Sequence, residues 1–390
     1  ELQPEDGPRA HWAFQPPVRP DATVGAGADD EVYTNPIDRL LAARRSEQGL
    51  EPVGVVDKRL LLRRVYLDLV GLPPTAEEYA AFLADSSPDA YERVVDELLS
   101  SPQYGERWGR HWMDVWRYTD WYGLGAQLRY SQKHIWHWRD WIVESLNEDK
   151  GYDRRVVEML AGDEVAPTDR ATLRATGFLA RNYYLFNRTT WLDSTIEHTS
   201  KAFLGLTINC AKCHDHKYDP ISQVDYYRFR AIFEPHQVRL DALPGETDLE
   251  HDGLPRVFDA HPETQTYLHV RGDPKNVDES APLTSAAPAF FADDKFEVRE
   301  IDLPLEAYRP ALRPYALEDQ VAAATRAIQA SRDAVQSSHQ QLAEAERREA
   351  ISGRLAQLAI TSGDGETTAD PTVLFDDFTA ENPVLWEAGP

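Results

Sequence analysis

The 390-residue chain holds two cysteines, three residues apart and followed at once by a histidine: Cys210, Ala211, Lys212, Cys213, His214. Thiols at that spacing share one helical turn. There they can add to the two vinyl groups along one haem edge, and the imidazole of the next residue then lies beneath the iron. The spacing predicts one covalently attached c-type haem on Cys210 and Cys213, with His214 as an axial iron ligand. Three other readings stay open. A zinc site of Cys210, Cys213, His214 and His216 would crowd its ligands into one short stretch, where tetrahedral sites draw on two separated pairs. A redox dithiol needs a βαβ setting, which the helical surroundings do not supply. The last is a pair without chemistry.

The stretch after the motif is dense in polar groups: Asp215, His216, Lys217, Tyr218 and Asp219. Such side chains could receive the Nδ1–H of His214 or approach a haem propionate, so His216 joins the candidate cofactor-binding residues. For the opposite face of the iron the sequence offers two methionines, Met113 and Met159, both on apolar helix faces where packing is their expected role. His198 lies on the helix leading into the motif, and His134 and His137 share a helix face. These three are the candidate catalytic residues, as acid, base or hydrogen-bond donor beside an open distal position. One of them, or His111 or His216, could instead close the site as a second axial ligand.

The elements that must position these residues read as a mainly α fold. Residues 1–34 are rich in Pro, Gly and Asp and read as an extended lead-in with an aromatic cluster at Trp12 and Phe14. From 35 to 236 apolar residues recur at three- and four-residue spacing, defining a helical c-type haem domain with helices expected over 89–100, 104–119, 132–148, 153–161, 192–204 and 223–233. Gly71, Pro73 and Pro74 stop one helix, and Thr75 with Glu78 makes a capping box for the next. Residues 237–312 break into an irregular strand-and-loop layer, with a β run at Thr266–Val270 before the turn Arg271–Pro274. Residues 313–362 read as a long amphipathic helix or coiled-coil arm, and 371–390 as the first strand of a truncated β-sandwich.

Composition narrows the function. With 66 acidic against 41 basic residues and a net charge of −25, no uniform basic surface can form, which argues against nucleic acid as a partner. No apolar run approaches the roughly 18 residues a membrane span needs, and two cysteines exclude a disulfide scaffold. The chain opens on Glu1 without a signal-like segment, so a true N-terminus lost to processing, proteolysis or lack of order is expected.

Several segments together resemble the planctomycete-type cytochrome-like proteins of unknown function. These are Arg64–Thr75, Ser101–Trp108, Ala161–Asp163, and Ala202–Thr207 running into Cys210–Ile221. The likeness covers about residues 35–235. Proteins of that family share a layout of secretion signal, often a small cytochrome c domain, this helical domain, sometimes an inserted laminin-G-like sandwich, and a further C-terminal domain. The resemblance implies haem c at Cys210, Cys213 and His214, a periplasmic, envelope or secreted location, and an electron-transfer partner such as another cytochrome domain. The family is common in bacteria rich in sulfatases and polysaccharide-degrading enzymes, which implies a link to carbohydrate breakdown.

Three functions follow as expectations: a haem oxidoreductase with an open distal site, an electron relay with both axial positions filled, or an interaction protein with a structural haem, with self-association through the arm compatible with each. About 200 helical residues around one haem exceed the roughly 100 that a simple relay needs, which favours the oxidoreductase.

Overall fold

The computed structural model describes residues 12–19, 35–120, 133–289 and 297–361; the lead-in before Trp12 and the expected sandwich strand at 371–390 lie outside them. The fold is mainly helical, with two small antiparallel sheets. The longer helices among the described residues are α1 (Pro36–Glu47), α2 (Lys58–Leu69), α3 (Ala76–Ala84), α4 (Ala90–Leu99), α5 (Pro102–Trp116), α6 (Trp136–Asn147), α7 (Tyr152–Val165), α8 (Arg188–Thr199) and α9 (Gln223–Phe233), with α10 (Pro314–Thr361) as the arm. Contacts divide the chain after Asp319.

Local chemistry sets the helix ends. The Asp57 carboxylate accepts from the backbone N–H of Arg59 and Leu60 to start α2, and the expected box forms as Thr75 N–H donates to Glu78 (2.6 Å) and Glu78 N–H to Thr75 Oγ1 (3.2 Å). α2 to α4 enclose a small core of Leu62, Val65, Tyr66, Phe82, Ala90 and Leu98. The main core is aromatic: Trp116, Trp138, Trp141, Phe178 and Tyr227 are all buried with Met159, and Met113 packs against them. The tryptophans at 116, 138, 141 and 191 are therefore packing residues, each at most 1 % exposed.

The strand-and-loop layer is more regular than its sequence. β1 (His236–Asp241) pairs in full register with β2 (Leu254–Asp259), from His236 opposite Asp259 to Asp241 opposite Leu254. β3 (Thr266–His269) pairs with β4 (Val277–Leu283) across an irregularity between Thr266 and Leu268. Fully buried Asp241 locks this layer, accepting from Arg239 Nε at 2.6 Å and from Arg313 at 2.8 Å, with Arg256 at 3.7 Å. The helix expected over 192–204 instead begins at Arg188 and gives way at Ser200 to a π turn, Ser200–Leu204. In α10, Val321, Ile328, Val335 and Leu342 keep their seven-residue spacing and are all more than half exposed.

α5 and α6 cross very closely because α5 has no side chain where they meet. A Cβ on Gly105 would fall 2.5 Å from both Asn147 Oδ1 and the Val143 carbonyl oxygen, and Gly105 N–H donates to Asn147 Oδ1 at 2.8 Å. Gly109 gives the same face a second gap, opposite Val143. This explains the glycine within the Ser101–Trp108 segment. Gly105→Ala should force the helices apart and cost ~1–3 kcal/mol, read as a lower denaturant midpoint; an unchanged midpoint would show that the crossing yields.

Candidate functional site

The two thiols sit on a tight turn whose inner residues are core. Gly205, at φ +66°, closes the π turn after α8, and Asn209–Lys212 then form a 3₁₀ turn with Cys213 at its end. Ile208 and Ala211 are completely buried, so the positions between them face outwards. Cys210 and Cys213 are both exposed free thiols.

Lys212, between the thiols, fixes the turn to the body. Its Nζ donates to Asp193 Oδ2 (2.6 Å), and its carbonyl accepts from Gln223 Nε2 (2.9 Å) and from the Tyr227 hydroxyl (3.1 Å). Asp193, on α8, also accepts from the Tyr226 hydroxyl (2.7 Å), with Arg230 3.6 Å away. Burial raises the pKa of both tyrosines, and the neighbouring Asp193 carboxylate adds to it, so both phenols stay protonated donors at ordinary pH. The Asp215 carboxylate accepts from Gln223 N–H (2.8 Å), joining the motif to the start of α9.

Against this turn lies the strand layer. Gly272, just after β3 and at φ +77°, comes so near Cys213 that a Cβ there would fall 2.5 Å from Sγ. Gln223 Nε2 also donates to the His269 carbonyl (3.0 Å), and the His269 ring packs 4.9 Å from that of Tyr227. Asp193, Gln223 and Gly272 have no individual signal in the sequence, being 11 to 59 residues from Lys212 or Cys213 and joined to them only by folding; Gly272 alone falls in a recognisable turn.

The two histidines of the motif differ. The Nδ1–H of His214 donates to the Asp215 carbonyl (2.7 Å), which directs its Nε2 lone pair to any metal. His216 Nδ1 accepts from Asp219 N–H (2.9 Å), and its backbone N–H donates to the Ile221 carbonyl (2.8 Å), so His216 shapes the loop. Two outward thiols beside an exposed imidazole with Nδ1–H engaged is a donor set that fits a c-type haem. Among the described residues, no group of three or more His, Cys, Asp or Glu is arranged to hold a metal ion.

The three candidate catalytic histidines fall into two places. His134, at φ +60°, donates from Nε2 to the Leu249 carbonyl (2.9 Å), and His137 donates to Asp252 Oδ1 (2.9 Å). Together with the ion pair Lys133–Glu250 they pin the loop before β2 to the start of α6. The Nε2 atom of each is thus engaged in joining two segments. His198, in the last turn of α8, is the exception: its Nδ1 is buried and has no hydrogen-bond partner among the described residues. Burial, with Arg117 and Arg181 nearby, pushes its pKa down to about 4, so it is neutral at pH 7.

The sequence pattern of PSCyt2, a protein family of unknown function (DUF1549), matches residues 36–238. The chain belongs to this family. No curated protein and no solved structure is detectably similar to it. The family match runs from α1 into β1 and includes the cysteine turn, Asp193 and Gln223, whereas Gly272 lies beyond it. Among the described residues no helix is long and apolar enough to cross a membrane.

Arg117 stands at φ +60°, where glycine is at ease, so Arg117→Gly removes a charge near His198 without backbone strain. The His198 pKa should rise yet stay below 6.5, because burial is the larger cause. A group with a depressed basic pKa binds its proton more readily when unfolded, so the stability it supplies is lost as pH falls from about 6.5 towards 4. The variant should lose less stability over that window. An NMR titration of His198 that does not move would sever it from Arg117.

Proposed function

We propose that the chain carries one c-type haem, covalently held by Cys210 and Cys213 with His214 Nε2 on the iron, and works outside the cytoplasm as an oxidoreductase. The observation that carries this reading is the exposed turn that presents both thiols next to an imidazole whose Nδ1–H is held by the Asp215 carbonyl. The haem, when bound, supplies one-electron redox chemistry. The chain's own contribution is to orient it: the Lys212–Asp193 pair and the tyrosines fix the turn, and the Asp215 carbonyl sets the tautomer of His214.

The polar role in the pocket falls to His198, whose imidazole is neutral at ordinary pH and whose buried Nδ1 has no partner among the described residues, so it serves as a hydrogen-bonding group towards a bound substrate. His134 and His137 would take part through the loop they anchor. The substrate class is a carbohydrate or small molecule, and electrons pass to a second redox protein such as a cytochrome domain.

Protein purified from a host that attaches haem c should stain for haem after denaturation and show the mass of one added haem. Cys210→Ala with Cys213→Ala should abolish both. A native-source protein whose two thiols are free, or whose mass shows only zinc, would end the reading. Carbon monoxide should bind the reduced protein and shift its Soret band; a low-spin spectrum in both oxidation states without such binding would make it an electron relay. Cell fractionation should place the loaded protein in the periplasm or envelope.

A further inference from the structure

We propose that the turn Val270–Gly272 at the end of β3 is the positioning element for Cys213, with Gly272 as the residue that admits it and Gln223 as its tie. The proposal rests on the haem reading above and extends it to a segment outside the family match. At Gly272 the backbone itself lies against the thiol: a Cβ there would sit 2.5 Å from Cys213 Sγ, 3.3 Å from the Lys212 carbonyl oxygen and 3.4 Å from Lys212 Cγ. A separation of 2.5 Å to sulfur is closer than a real Cβ can stand, and φ +77° is a conformation only glycine adopts readily. Position 272 is thus constrained twice, once by its backbone and once by the sulfur.

Gln223 holds the approach in register. Its single amide donates to Lys212 of the motif (2.9 Å) and to His269 of β3 (3.0 Å), so the cysteine turn and the strand are joined through one side chain. Tyr227 repeats the bridge, with its hydroxyl on Lys212 and its ring against His269. All of this bears on the Cys213 end of the motif.

The chemistry explains why that end needs holding. A thioether forms when a thiol S–H adds across a vinyl group, sulfur to the carbon next to the ring and hydrogen to the terminal carbon; nothing is released and no oxidant is consumed. Once one sulfur is bonded, the second must meet its vinyl from a geometry already limited by the first, and a shift of about 1 Å is costly to such a reaction. Gly272 and Gln223 act through Cys213 and are positioning residues.

The test compares wild type, Gly272→Ala and Gly245→Ala, each produced with the bacterial attachment machinery and read by intact mass, peptide mapping and the pyridine haemochrome spectrum. Gly245 has a similar left-handed backbone, at φ +81°, but a Cβ added there would meet nothing within 4 Å, so it reports the backbone penalty alone. Wild type and Gly245→Ala should carry two thioethers. Gly272→Ala should raise the fraction bonded only through Cys210, with Cys213 alkylatable, by about tenfold, and the remaining vinyl should move the haemochrome band to longer wavelength, which a general loss of stability would not do. Should Gly272→Ala fail to fold, Gln223→Leu is scored in the same way. Two thioethers in whichever variant is scored would overturn the proposal and leave the haem reading standing. Wild-type protein with no covalent haem would overturn both.

Discussion

Asp193 is the group on which the arrangement of the cysteine turn depends. Its carboxylate receives Lys212 from between the thiols and Tyr226 from α9, with Arg230 of α9 close behind, so the cysteine turn and α9 meet on one side chain of α8. A partly buried carboxylate is costly to leave unpaired and stable when every oxygen has a donor, and here each oxygen has one within 2.7 Å. The apolar partners Ile208 and Ala211 bury the underside of the same turn. Polar fixing on one edge and core burial beneath leave a single direction for Cys210 and Cys213, which is outwards. The thiols are exposed because Ile208 and Ala211 take the buried positions of the turn.

Titratable groups that the fold buries set opposing limits on stability. Burial depresses the pKa of His137, His198, His236 and His269, with His236 at about 3, so these side chains resist protonation in the folded state and favour the unfolded one as pH falls below about 6.5. Asp163 works the other way. It follows the kink at Ala161 in α7, and burial pushes its pKa up to about 7 despite Arg256, with Asp259 and Glu164 adding to the rise. Its folded form prefers to be protonated, so its contribution is present below its unfolded value near 3.8 and is lost as pH rises through 7. Burial raises Glu164 and Asp259 in the same direction, so the interior favours the neutral form of its acids as it does of its histidines.

Much of the helical body was legible because it obeys local rules. The capping box at Thr75, the stop at Gly71 and the helix over 223–233 need only neighbouring residues to specify them. The mainly α fold follows from the same periodicity. The pairing of β1 with β2 was not legible, since those strands are held by the buried Asp241 and its arginines from three separate segments. The break at Ser200 is hidden for a related reason: residues 192–204 keep a helical pattern, and the change to a π turn before Gly205 alters no apolar spacing.

At the site itself, sequence reasoning reaches the atoms that would bond a cofactor and stops short of those that hold them. Cys210, Cys213 and His214 are adjacent in the chain, so their spacing carries the chemistry; Asp193, Gln223, Tyr227 and Gly272 reach them only through tertiary contacts. The histidines show the same limit in reverse. His134 and His137 look alike and functional at their helical spacing, but what separates them from His198 is the loop around Asp252, more than a hundred residues further along the chain. A histidine whose Nε2 is engaged in joining two segments serves architecture first, whereas one with a buried nitrogen and no partner carries an unmet bonding capacity. That difference in hydrogen-bond satisfaction, which His198 shares with His236 and His269, and not position along a helix, is what separates His198 from His134 and His137.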